Sequence, residues 1–141
     1  MTDRPYTALV RDLPSRVPFV GPETQERDRG RLFTARLGAN ESVFGPSPKV
    51  AAAMARAAAE SWRYGDPENF ELRRDLAAAN GVGVDNVLVG EGIDGLLGYT
   101  VRLFVEPGVK VVTSLGAYPT FNFHVHGYGG TLVTVPYRDD R

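Results

Sequence analysis

Hydrophobic and polar positions follow regular helix and strand periods from about residue 36 onward. The predicted helices span about 48–62, 69–80, 93–105 and 119–127, and the predicted strands span 86–89, 109–113 and 131–135. Strands that alternate with helices in this way favour a parallel sheet with right-handed crossovers. The predicted fold class is therefore α/β.

Local signals mark several of the helix ends. Ser47 is a good N-cap and Pro48 suits a first helical position, while Gly81 suits the position just after a helix. The helix predicted at 93–105 is apolar almost all round, so we expect it to be covered on more than one side.

The first 35 residues follow neither period. Prolines punctuate this stretch at positions 5, 14, 18 and 22. Because proline fixes φ and lacks an N–H, residues 1–35 are predicted to form an extended N-terminal arm, neither helix nor central strand. A frayed tail is the alternative interpretation.

Composition excludes several classes of protein. The 141 residues carry a formal charge of −1 and no cysteine, which argues against a nucleic-acid platform, a disulfide scaffold and a cysteine nucleophile. The sequence also has no apolar run long enough to span a bilayer and no signal peptide at its start, so the expectation is a cytoplasmic protein with no membrane partner. His124 and His126 have no neighbouring carboxylate or cysteine, so we predict no metal site there.

The segment Gly90–Gly95 carries the first candidate chemistry. A predicted strand ends in glycines and a helix begins at once, an arrangement that offers free N–H groups to a phosphate. A tight turn that needs glycine only for its dihedral angles explains the pattern equally well.

Two other functions also remain open for a chain with this glycine turn. The glycine spacing matches the dinucleotide fingerprint of Rossmann domains, but no acidic residue lies between Glu106 and Asp139 to hold a ribose. A non-catalytic protein that binds a phosphate ligand or a partner is the second alternative.

Tyr118–Phe121, which follows the next strand, brings an aromatic ring to the same sheet edge, where it either stacks on a flat cofactor or belongs to the core.

Four ordered motifs resemble class I/II pyridoxal-phosphate (PLP) aminotransferases of fold type I, nearest the histidinol-phosphate aminotransferase group. The motifs, which fall between about Arg36 and Arg138, are Asn40–Ser47, Arg63–Pro67, Gly90–Asp94 and Tyr118–Phe121. The resemblance implies an N-terminal fragment: residues 36–141 as part of the three-layer α/β/α large domain, preceded by the arm. Ser42-Val43, Gly65 and Gly95 depart from the family pattern, and these departures bear on the amino-acid substrate.

The resemblance also implies roles for individual residues. The cofactor, pyridoxal 5'-phosphate, would be held through its phosphate by the turn at Gly92, Ile93 and Asp94. Phe121 would stack on its ring, and Tyr64 would reach the phosphate in the neighbouring subunit of a homodimer. The substrate-binding residue would be Asn40.

The implied activity is amino transfer between an amino acid and a 2-oxo acid in a full-length enzyme. Lys49 and Lys110 are the two lysines of the sequence, and neither matches the lysine that carries the family's cofactor. No catalytic residue is therefore predicted, and the isolated chain is expected to be inactive. The family's sheet order would also leave residues 87–89 without a neighbouring strand and the 109–113/131–135 pair with an open edge, which predicts self-association.

Overall fold

The computed structural model describes residues 5–13, 19–38 and 41–139. Its helices are α1 (Ala8–Asp12), α2 (Pro22–Arg29), α3 (Pro48–Ala57), α4 (Phe70–Asn80), α5 (Gly92–Phe104) and α6 (Pro119–Gly127). Its strands are β1 (Lys110–Ser114) and β2 (Thr131–Val135), and 3₁₀ turns span Ala58–Glu60 and Val84–Asn86. The chain divides into two compact units, one of residues 1–20 with 90–141 and one of residues 21–89.

The first unit contains a parallel pair of strands. β1 and β2 run in register from Lys110 opposite Thr131 to Ser114 opposite Val135, and α6 connects them. A parallel pair needs such a crossover, since a tight hairpin returns the chain in the opposite direction. The predicted strand–helix–strand order over this stretch is confirmed, and the β2 bounds agree with the prediction.

The core of this unit lies where α5 meets α6. Val101 and Val125 are 1% and 0% exposed. A Cβ built at Gly98 would stand 2.9 Å from the His124 ring, and one at Gly130 would stand 2.6 Å from Val105 Cγ1. Glycine at these two positions therefore permits the close approach of α5, α6 and the turn into β2.

Burial of α5 is narrower than its composition predicts. Gly98 and Val101 are its buried residues, whereas Leu103 and Phe104 are 73% and 78% exposed. Within the described residues α5 packs mainly on α6 and leaves Leu103 and Phe104 in solvent, whereas its apolar pattern predicts cover on more than one side.

The second unit is built around α4. Asp66 starts this helix, because its carboxylate accepts the N–H of Phe70 at 2.8 Å and that of Glu68 at 3.0 Å. These two hydrogen bonds hold the pKa of Asp66 below its usual value. Gly81, with φ +66°, ends the helix as predicted.

The strand predicted at 86–89 is absent from the described residues. Val84–Asn86 forms a 3₁₀ turn, and Val87 has extended dihedral angles without a ladder partner. Arg73 instead donates to the carbonyls of Val87 and Val84 at 3.0 and 3.1 Å. The predicted strand does not form because a strand requires a paired neighbour, and the described part of the chain agrees with the expectation that residues 87–89 have no neighbouring strand.

The N-terminal stretch also differs from its prediction. It contains α1, capped by Thr7, and α2, which begins at Pro22. Proline is well tolerated at a first helical position because its missing N–H has no intrahelical partner there. The prediction that residues 1–35 contain no helix was therefore wrong, and Pro22 starts a helix that it was expected to prevent. In the part of the chain that the structure describes, no helix has the length and apolar character needed to cross a membrane.

Candidate functional site

The turn from Gly90 to Gly92 directs the chain into α5. Gly92 donates its N–H to the Gly90 carbonyl at 2.8 Å, and Glu91 between them has φ −77° and ψ 61°. These are the dimensions of an inverse γ-turn. Gly92 then adopts φ +70°, a left-handed conformation that L side chains rarely take. Glycine at position 92 is thus required by the backbone.

The start of α5 carries no side-chain cap in the described part of the chain. The N–H groups in the first turn of a helix have no intrahelical acceptor. Because no side chain among the described residues caps α5, the N–H groups that follow Gly92 gain no acceptor from a capping side chain either. The helix dipole adds partial positive charge at the same end. A Cβ built on Gly92 would meet no other part of the described chain within 4 Å, so the position of that side chain is open.

The other two glycines of the turn are explained by packing. A Cβ at Gly90 would stand 2.9 Å from Leu96 Cδ2, and one at Gly95 would stand 2.7 Å from Glu91 Oε2. Gly95 therefore accommodates the Glu91 side chain. This contact accounts for the third glycine of the Gly-x-Gly-x-x-Gly spacing without a dinucleotide.

Two tyrosines bind the two carboxylates of the turn. Tyr118 donates its hydroxyl to Asp94 Oδ1 at 3.1 Å. Tyr99 donates to both Glu91 oxygens at 3.0 and 3.2 Å, and this hydrogen bond and the carboxylate charge raise the pKa of Tyr99. The Tyr118–Asp94 bond joins the first turn of α5 to the residue that precedes α6.

Phe121 lies in the first turn of α6 and is half-buried. Pro119 begins this helix, and Thr120 is buried against the unit. The neighbouring Asn122 has a buried side-chain oxygen, Oδ1, without a hydrogen-bond partner. The structure therefore brings Gly92, Ile93 and Asp94 together in one turn and links that turn, through Tyr118, to the helix that carries Phe121.

The two remaining predicted site residues, Tyr64 and Asn40, are far from this turn in the sequence. Tyr64 belongs to residues 21–89 and is fully exposed. Asn40 lies outside the described residues. Lys110 is the first residue of β1, so four strand residues, or roughly 13 Å, separate it from the carboxyl end of that strand.

Sequence reasoning missed the tyrosine–carboxylate pairs. Tyr99 lies eight residues after Glu91, a spacing of about two helical turns that offers a weak signal. Tyr118 and Asp94 are 24 residues apart and meet only because α5 and α6 pack together. No local pattern predicts that contact.

Comparison with known proteins supplies the family. The family model for aminotransferase class I and II matches residues 35–141. The chain belongs to the class I and II aminotransferases. This confirms the resemblance inferred from the motifs and favours it over the dinucleotide alternative.

Individual relatives agree with this assignment. The crystal structure of histidinol-phosphate aminotransferase from Sinorhizobium meliloti in complex with pyridoxal-5'-phosphate is 57% identical, with a TM-score of 0.89, and the match covers 99% of this chain and 37% of that one. Histidinol-phosphate aminotransferase from Anaeromyxobacter sp. (strain Fw109-5) is 37% identical over 90% of this chain and 35% of its own length. Histidinol-phosphate aminotransferase 1 from Mesorhizobium japonicum is 38% identical over 75% of this chain and 29% of its own.

These matches confirm the predicted fold class, an α/β part of the fold-type I architecture. They also show that the chain spans about a third of the length of the relatives it matches.

Proposed function

We propose that this chain is the part of a PLP-dependent aminotransferase that binds the phosphate and the ring of the cofactor. The observation that carries the proposal is the uncapped, glycine-opened start of α5 in a chain 57% identical to an aminotransferase solved with pyridoxal-5'-phosphate. When bound in a complete enzyme, the cofactor supplies an electron-withdrawing ring for amino-group transfer. The residues of this chain bind and orient it.

The first turn of α5 fits a phosphate group. Ile93 and Asp94 carry N–H groups without intrahelical acceptors, and Gly92 places no side chain over them. Hydrogen bonds from these two N–H groups, together with the helix dipole, would hold the phosphate dianion.

The ring and the second subunit involve residues beyond the turn. Phe121, on the helix linked to the turn through Tyr118, is proposed to stack on the cofactor ring. The full exposure of Tyr64 supports the proposal that its hydroxyl serves the cofactor phosphate of a second subunit in a homodimer. Asn40 is proposed to contact the substrate, and residues 1–35 are proposed to form an arm ahead of the large-domain segment 36–141.

The proposed reaction transfers an amino group from histidinol phosphate to a 2-oxo acid. Its support is that the relatives above, at 37% to 57% identity, are named for this activity. A cytoplasmic location is proposed with it, since both substrates are soluble metabolites. The lysine that attaches the cofactor would lie outside these 141 residues, because Lys110 stands at the wrong end of β1 and Lys49 follows a helix-starting proline.

A chimera tests the proposal directly. Residues 1–141 would replace the matching segment of the Sinorhizobium meliloti enzyme, which supplies the rest of the chain. We expect the chimera to retain PLP on gel filtration and to convert histidinol phosphate with a 2-oxo acid acceptor. A folded chimera that binds neither PLP nor pyridoxal would contradict the proposed function.

A further inference from the structure

The carboxylate of Asp94 lies in the same helical turn as the proposed phosphate site and carries the same sign of charge as a phosphate. Asp94 is the third residue of α5, and acidic side chains in the first turn of a helix tend to accept hydrogen bonds from the free N–H groups there. An unrestrained carboxylate at this position would compete with a phosphate for the same donors. Its negative charge would also repel the phosphate dianion.

The structure shows the Asp94 carboxylate bound elsewhere. Its Oδ1 accepts the hydroxyl of Tyr118 at 3.1 Å, and no side chain caps α5 in the described part of the chain. Tyr118 is 48% exposed, so this hydrogen bond is made at the rim of the site, in contact with water. The N–H groups of the first turn consequently remain available.

We infer that Tyr118 is a positioning residue that holds the Asp94 carboxylate out of the phosphate site. This inference rests on the proposed function, because it assigns Tyr118 a part in binding the cofactor phosphate. Removal of the hydroxyl releases the carboxylate, which then occupies the N–H groups of the turn and opposes the phosphate. Tyr118 does not itself contact the phosphate in this account.

The test uses the chimera described above with the variants Tyr118→Phe, Asp94→Asn and the double variant. The dissociation constants of PLP and of pyridoxal, which lacks the phosphate, are measured by equilibrium dialysis. Tyr137→Phe is the matched control, since it removes an exposed tyrosine hydroxyl that bonds Ser114 Oγ at 2.9 Å in the same unit.

We expect Tyr118→Phe to weaken PLP binding about three- to fivefold, the scale of an exposed charged hydrogen bond, and to leave pyridoxal binding unchanged. In the Asp94→Asn background the same change should have little effect, because a neutral amide does not repel a phosphate. Asp94→Asn alone keeps the backbone N–H and removes the repelling charge, so it should bind PLP more tightly, whereas the control Tyr137→Phe should leave PLP binding unchanged. A merely structural role for Tyr118 predicts an equal loss for both ligands and in both backgrounds.

Each contrary outcome has a distinct meaning. If the unmutated chimera binds PLP no more tightly than pyridoxal, the proposed function and this inference both fail. If the unmutated chimera prefers PLP but Tyr118→Phe leaves that preference intact, only the inference fails. If Tyr118→Phe does not fold, the Asp94→Asn variant decides, since a weaker binding of PLP there would show that the carboxylate assists the phosphate and would overturn the inference.

Discussion

Replacement of Gly92 by alanine distinguishes the conformational reason for a glycine in this turn from its proposed role in phosphate binding. The backbone at Gly92 has φ +70°, and a Cβ there would meet nothing within 4 Å. The steric cost to the empty protein therefore comes from the backbone conformation alone, about 1–2 kcal/mol for a residue with a Cβ. Since a domain is stable by about 5–15 kcal/mol, the variant should still fold.

The cost to cofactor binding should be larger. The methyl group is added at the first residue of α5, immediately before Ile93 and Asp94, whose N–H groups are proposed to bind the phosphate. Loss of one hydrogen bond to a charged group costs about 1.5–3 kcal/mol, so PLP affinity should fall by roughly 10- to 150-fold. Valine, which is branched at Cβ, should weaken binding further.

Gly108→Ala provides the matched control. Gly108 lies in the same unit, has φ +83° and also has open space around its Cβ position. Thermal unfolding and equilibrium dialysis of the chimera should show similar destabilisation for the two alanine variants and a loss of PLP affinity for Gly92→Ala alone. Equal PLP affinities in the two variants would refute the reasoning and leave glycine at 92 with a purely conformational role.

Four other outcomes follow from the same structure. The 141-residue chain, incubated with PLP and amino donors and then reduced with borohydride, should show no turnover, and a stoichiometric adduct on either lysine with turnover would disprove this. Because Val112 and Phe104 are 68% and 78% exposed, the chain alone should self-associate, and a sharp two-state melt of a sedimenting monomer would contradict that expectation. In the chimera, Gly130→Ala should destabilise the fold by about 1–3 kcal/mol through overpacking, whereas Gly127→Ala, with open space at its Cβ, should not. The lowered pKa of Asp66 means that its stabilising effect is present above its unfolded pKa and is lost as pH falls through the folded value, so an NMR titration should find the pKa of that carboxyl below its value in the unfolded chain.

Elements set by local chemistry could be predicted from the sequence. Ser47 and Gly81 mark helix ends because capping involves residues within one turn of each other. β1 and β2 were predicted because each is a short apolar run and their partner is close in the chain. The first long helix ends as an α-helix at Ala57, earlier than its alanine-rich pattern predicts, and continues as a 3₁₀ turn.

Features that depend on distant parts of the chain could not be predicted. The composition of residues 87–89 predicts a strand, and only the sheet order of the family indicates that this chain holds no neighbouring strand for it. Pro22 was read as a helix breaker although it is compatible with a helix start. The Tyr118–Asp94 bond arises from the packing of α5 on α6, which composition does not specify.

The site residues also divide into those predicted from local sequence and those that depend on distant parts of the protein. Gly92, Ile93 and Asp94 are consecutive, so the sequence predicts them together and the structure places them in one turn. Phe121 was predicted beside the turn because it follows the next strand, and its stacking role, which rests on the resemblance, stays a prediction. The roles of Tyr64 and Asn40 depend on a second subunit and a substrate, so they stay predictions.

The chimera's affinity for PLP relative to pyridoxal tests the central claim most directly, because the two ligands differ only by the phosphate that α5 is proposed to bind. Equilibrium dialysis of the unmutated chimera and of its Gly92→Val variant gives the dissociation constants of PLP and of pyridoxal for each protein. The account predicts a preference for PLP of at least about tenfold, equivalent to one charged hydrogen bond, that Gly92→Val abolishes. Equal affinities for PLP and pyridoxal in the unmutated chimera would contradict the claim that this turn binds the cofactor phosphate.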